Sequence, residues 1–71
     1  MINALQKKYE AEIAMAMANI DVYITNPAGI GEHSDIIAAL DIEMTKLAEA
    51  EDKLQCLFKN YISSHSDGHQ G

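Results

Sequence analysis

One interruption constrains this chain more than any other feature. Pro27, followed closely by Gly29 and Gly31, splits a sequence that otherwise keeps helical periodicity almost throughout. Proline removes a backbone donor and disfavours helical geometry at the residue before it, here Asn26. On the N-terminal side, Leu5, Tyr9, Ile13, Met17 (or Ala16), Ile20 and Ile24 recur at steps of three and four, the helical period. Ala14 to Ala18 alternate, but between Ala and Met, both good helix formers, so the strand pattern is absent. On the C-terminal side, Ile37, Leu40, Met44, Leu47, Glu51, Leu54, Phe58 and Tyr61 form a heptad seam with one charged member, Glu51.

These spacings predict an all-α, antiparallel two-helix hairpin over residues 1–63, with a helix over 2–25, a loop over 26–33 and a helix over 34–62. Ser34 is the expected N-cap of the second helix, and Asp35 complements the positive end of its dipole. Glu43 with Lys46, and Glu49 with Lys53, stand at ion-pair spacing. Ile30, apolar between the two glycines, is expected to fold back onto the end of the core. Residues 64–71 contain nothing apolar to bury, and a disordered tail is expected there.

Seventy-one residues give a small core, and natural chains of this size recruit disulfides, metals or further subunits. The single cysteine, Cys56, excludes an intrachain disulfide. Ile36, Ile42, Leu57 and Ile62 lie beside the seam and widen the apolar stripe beyond what a two-stranded coil needs. Self-association follows as the expectation, with Ile37, Leu40, Met44, Leu47, Glu51, Leu54, Phe58 and Tyr61 as the oligomer interface. The expected form is a homodimer making a four-helix bundle, or a trimer of hairpins. Glu51 on the seam then either fixes register against a partner lysine or sits half exposed.

Charge narrows the partners. The formal net charge is −6, all basic residues are lysine, and there is no arginine. Nucleic-acid affinity rests on counterion release by basic groups, and base reading favours the arginine fork, so a nucleic-acid partner is not expected. Adsorption to anionic membranes is disfavoured for the same reason. No apolar run reaches the roughly 20 residues of a membrane span. Lys7 and Lys8 lead into Glu10 and Glu12 rather than into the apolar stretch of a targeting segment, so a cytoplasmic location is expected.

Catalytic chemistry finds little support, and no cofactor is implied. Cys56 falls towards a helix C-terminus, whereas an activated thiolate favours an N-terminus or a cationic pocket. Glu51 and Asp52 point in different directions on a helix. The Gly29-Ile30-Gly31 loop lacks the Lys-Ser/Thr of a phosphate cradle and carries Glu32 instead. Met15, Met17 and Met44 are read as core, with an adaptable binding groove as the alternative. A di-metal bundle needs Glu-x-x-His on inward faces, and that spacing does not occur. What remains of a metal reading is Glu32 and His33 in the loop with His65 and His69 in the tail; a metal- or small-ligand-binding bundle using them is the alternative function.

Two stretches carry a resemblance: Asn26-Pro27-Ala28-Gly29-Ile30-Gly31-Glu32-His33-Ser34-Asp35, and Leu47-Ala48-Glu49-Ala50-Glu51-Asp52-Lys53-Leu54. The chain resembles short uncharacterised proteins of marine T4-like phages and ocean metagenomes, which carry a similar N-x-x-G-I-G-E-H turn between two helices. The resemblance covers about half the chain and implies a helical hairpin, a host-cytoplasmic setting and no particular activity. It marks Gly29, Ile30, Gly31, Glu32 and His33 as a possible recognition turn. The leading expectation is thus a non-enzymatic oligomeric interaction or structural module, a phage accessory protein, with an unidentified protein partner.

Overall fold

The computed structural model describes residues 1–26 and 33–62. All of the regular structure among them is helical. Helix α1 spans Ile2–Thr25 and helix α2 spans His33–Leu57; a π-helical segment, Phe58–Ile62, continues α2 without a break in the chain. The expected loop residues 27–32, Ile30 among them, and the expected tail lie outside the described residues.

Helix α1 stops where proline dictates. Asn26 has left helical geometry, with φ −139° and ψ 59°, and its N–H still donates to Val22 O at 2.9 Å. The threonine before it, Thr25, turns its hydroxyl back onto Asp21 O at 2.7 Å. Helix α2 begins at His33, one residue before the expected cap, so Ser34 lies inside the first turn. Asp35 sits in that turn, where the helix dipole favours an acid.

The two helices run antiparallel. Asn19 meets Glu43, while Tyr9, ten residues earlier, meets Lys53, ten residues later. The result is a rod, 54 × 17 × 16 Å. Its core is thin: among the described residues Ala16, Ile36, Ala50 and Leu57 are the buried apolar ones, and no large side chain is completely enclosed.

The burial pattern corrects the seam by one position at every second step. Along α2 the residues turned towards α1 are Ile36, Leu40, Glu43, Leu47, Ala50, Leu54 and Leu57. Leu40, Leu47 and Leu54 belong to the expected seam as well. Between them, Ile36, Glu43 and Ala50 stand in place of Ile37, Met44 and Glu51, and Leu57 is buried beside a half-buried Phe58. Along α1 the inward residues are Tyr9, Ile13, Ala16, Ile20 and Tyr23: of the two candidates Met17 and Ala16 the inward one is Ala16, and Tyr23 stands in place of Ile24. In α1 the cause is geometric: each step of four overshoots a full helical turn by about 40°, so a run of three such steps, Leu5 to Met17, walks off the contact face. In α2 both sets alternate strictly by three and four and lie on opposite sides of the Leu40, Leu47 and Leu54 row, so periodicity alone leaves the side open.

The same one-residue logic governs the end of α2. A π-turn accommodates one residue more than an α-turn, which rotates everything beyond it. Ile62 is therefore half-buried while Tyr61 is 59% exposed. Asn60 Nδ2 donates to Cys56 O at 2.8 Å across this turn.

Candidate interaction surfaces

Two small residues lie inside the seam. Ala16 and Ala50, each 2% exposed, line the same stretch of it, where small side chains allow the backbones to approach. One turn away lies the one buried charge among the described residues, Glu43, at 6% exposure. It is fully partnered. Asn19 Nδ2 donates to its Oε1 at 3.0 Å, and Lys46 Nζ donates to its Oε2 at 3.3 Å. The Asn19 hydrogen bond is the main reason its carboxyl is held below the ordinary glutamate range; burial opposes this, and Lys46 adds to it. The polar seam residue that the heptad spacing places at Glu51 is thus Glu43 within the hairpin. Glu51 lies one position round the helix and is exposed.

The hairpin has two unlike flanks. On one, Glu12, Asn19, Lys46, Glu49 and Lys53, with Met15 among them, line an open groove along the seam. Lys8 pairs with Glu12 one turn along α1, which lowers the Glu12 carboxyl and raises the Lys8 ammonium, chiefly through their shared hydrogen bond. The Lys53 ammonium stands 5.9 Å from the Tyr9 ring centre, as does that of Lys8. Of the two ion pairs expected on α2, Glu43–Lys46 forms; Glu49–Lys53 does not, because Lys53 turns across to Tyr9.

The other flank is apolar. Met17 and Ile24 on α1, and Ile37 and Met44 on α2, each lie one position round from the seam on this side. Their exposures are 52%, 62%, 66% and 50%. A third exposed surface lies on the outside of α1, where Ala11, Ala14, Met15, Ala18 and Val22 follow one another at helical spacing; Met15 is 66% and Val22 54% exposed.

The residues singled out by the sequence therefore divide. Leu40, Leu47, Leu54 and Phe58 are half-buried and serve the hairpin's own seam, whereas Ile37, Met44, Glu51 and Tyr61 are exposed in the single chain. Gly29, Ile30, Gly31 and Glu32, the side chain of His33, and His65 and His69 lie outside the described residues. Among the described residues no group of three or more His, Cys, Asp or Glu side chains gathers as metal ligands would. Cys56 is a free, exposed thiol at the edge of a shallow depression shared with Leu5, Tyr9 and Leu57. No described helix is long and apolar enough to cross a membrane.

Periodicity of large apolar residues marks the outer α1 surface only weakly, because alanine counts little in it. Its signal is compositional: between Ala11 and Ile24 the only polar residues are Glu12, Asn19 and Asp21. Comparison with protein families, curated proteins and solved structures gives no match for the chain.

Proposed function

We propose that the chain is a non-enzymatic helical interaction module that completes its core by self-association around α1. The observation that carries this reading is the near-continuous apolar girth of α1. A helical stretch that is apolar most of the way round, as residues 11–24 are apart from Glu12, Asn19 and Asp21, is stable in water only when neighbours cover it on more than one side. Here α2 covers one side, and Met15, Met17, Val22 and Ile24 remain at least half exposed. The outer face of α2 is more polar: it carries Asp41, Thr45, Glu49, Asp52 and Lys59, with Ile42 as its one large exposed apolar residue. An assembly with α1 inside and α2 outside suits that difference. The simplest is a two-fold dimer in which the outer faces of two α1 helices meet, giving a four-helix bundle. Alanines at 11, 14 and 18 let those backbones approach closely.

The resemblance of the turn to phage and metagenome hairpins supports a phage accessory role in the host cytoplasm, with the module presenting further surface to a host or phage protein. The test of the assembly is the solution mass of the wild type beside Met15→Glu and Ala18→Glu. Both sites are exposed in the hairpin, so both variants keep the helical fold; they place carboxylates where two α1 helices would touch. A dimer in the wild type and monomers in the variants support the reading. Identical masses overturn it.

A further inference from the structure

The apolar flank differs chemically from the outer α1 face, and its charges point to a different occupant. Asn19 lies level with Glu43 and Tyr9 with Lys53, so Met17 lies close to the level of Met44, and Ile24 close to that of Ile37. The flank is thus a shallow trough with two apolar rungs, each built from both helices. The rungs are seven residues apart, about 10.5 Å along the axis. That spacing matches positions i and i+7 of a third helix laid along the trough, with i+3 or i+4 falling between the rungs. Methionine at one rung gives an adaptable surface.

The border of the trough is acidic. Asp21, one turn on from Met17, and Asp41, one turn on from Ile37, line its two sides, and both are exposed. Glu10 and Glu51, at matched levels on the same flank, close the end away from the turn. Lys46, Lys53 and Lys8 are committed to the opposite flank, at Glu43, Tyr9 and Glu12. No lysine stands on this flank between the Glu10–Glu51 end and the turn. A second copy laid here would bring the same acidic, lysine-free border against this one, because a two-fold contact uses the same patch of both subunits. We infer that the trough is a docking site for a basic amphipathic helix of another protein, its apolar stripe on the two rungs and its Lys or Arg residues against the acidic border. The inference requires the hairpin but not its self-association through α1, so the two readings fail separately.

The test uses the full chain and a synthetic Leu/Lys peptide of about 18 residues with leucines at helical spacing, long enough to form a helix on docking. A Leu/Glu peptide of the same pattern and a scrambled Leu/Lys peptide of the same composition are the comparisons. By calorimetry the patterned Leu/Lys peptide is expected to bind about tenfold or more tightly than either. Met44→Glu, at a half-exposed position, should remove that preference. Asp21→Lys with Asp41→Lys should weaken binding while leaving the apolar rungs intact. Met15→Glu, on the outer face of α1, should leave it unchanged. Equal binding of the scrambled peptide would reduce the effect to unspecific charge attraction and overturn the proposal. So would full binding by Met44→Glu. If Met44→Glu instead turns a wild-type dimer into a monomer, the trough is a self-contact and a second copy is its occupant.

Discussion

The burial of Ala50 offers a sharp test of the seam register. Ala50 is 2% exposed, whereas Ala48, on the same helix, is exposed. Ala48→Asp loses helix propensity, about 0.7 kcal/mol, and little else. Ala50→Asp incurs the same loss and also forces a carboxylate into the seam, where burying an ion costs several kcal/mol even after relaxation. A chain of this length has a total stability of about 4–11 kcal/mol at typical values per residue. Ala50→Asp should therefore consume a large part of it, and Ala48→Asp only a little. In a domain this small, each kcal/mol moves the melting temperature by about 4–8 °C. The expected thermal melts, followed by circular dichroism, differ by at least 10 °C. Neighbouring charges bias the experiment against this outcome. Lys46 and Lys53 lie one turn from position 50 and favour an acid there, while Asp52 lies one turn from position 48 and opposes one. If the two variants melt together, or Ala50→Asp melts higher, the seam does not run through Ala50.

Four further expectations follow from the same geometry. Leu57→Ala, at 5% exposure, should cost about 2–5 kcal/mol by denaturant unfolding, whereas Tyr61→Ala, beyond the π-turn, should stay within about 0.5 kcal/mol. Glu43 is held below the ordinary glutamate range in the folded chain, so its contribution is present above that range and is lost as pH falls through its lowered folded value. The melting temperature of the wild type should then drop on acidification below about pH 4.5, and less steeply in Glu43→Gln. Leu47→Asp, on the half-buried seam, should unfold and dissociate the chain together; a folded monomer would count against obligate assembly. The melt should be unchanged by a chelator, and a rise on adding zinc would revive the histidine-based alternative.

Much of the fold is legible in the sequence because it is written in large residues. Leucines at 40, 47 and 54, separated by sevens, mark α2 and its inward face, and Pro27 marks the end of α1. The remainder is written in small or polar residues that periodicity undervalues. Ala16 and Ala50 hold the seam, yet Met17 and Glu51 beside them look equally placed. Glu43 lies in the interior because Asn19, 24 residues away in sequence, completes its hydrogen bonding. No local pattern announces such a pair. The π-turn is likewise invisible, since Phe58 and Tyr61 continue the heptad on paper while the backbone rotates past it. The apolar trough emerges only once the register is corrected, because Ile37 and Met44 then leave the seam and join Met17 and Ile24.

The central claim is that one hairpin cannot hide the apolar surface of α1. Light scattering at micromolar concentration, read beside the melting curve, tests it most directly. The account predicts a mass of about twice 7.8 kDa and a melting temperature that rises with protein concentration. A particle of 7.8 kDa that melts cooperatively at a concentration-independent temperature would contradict it.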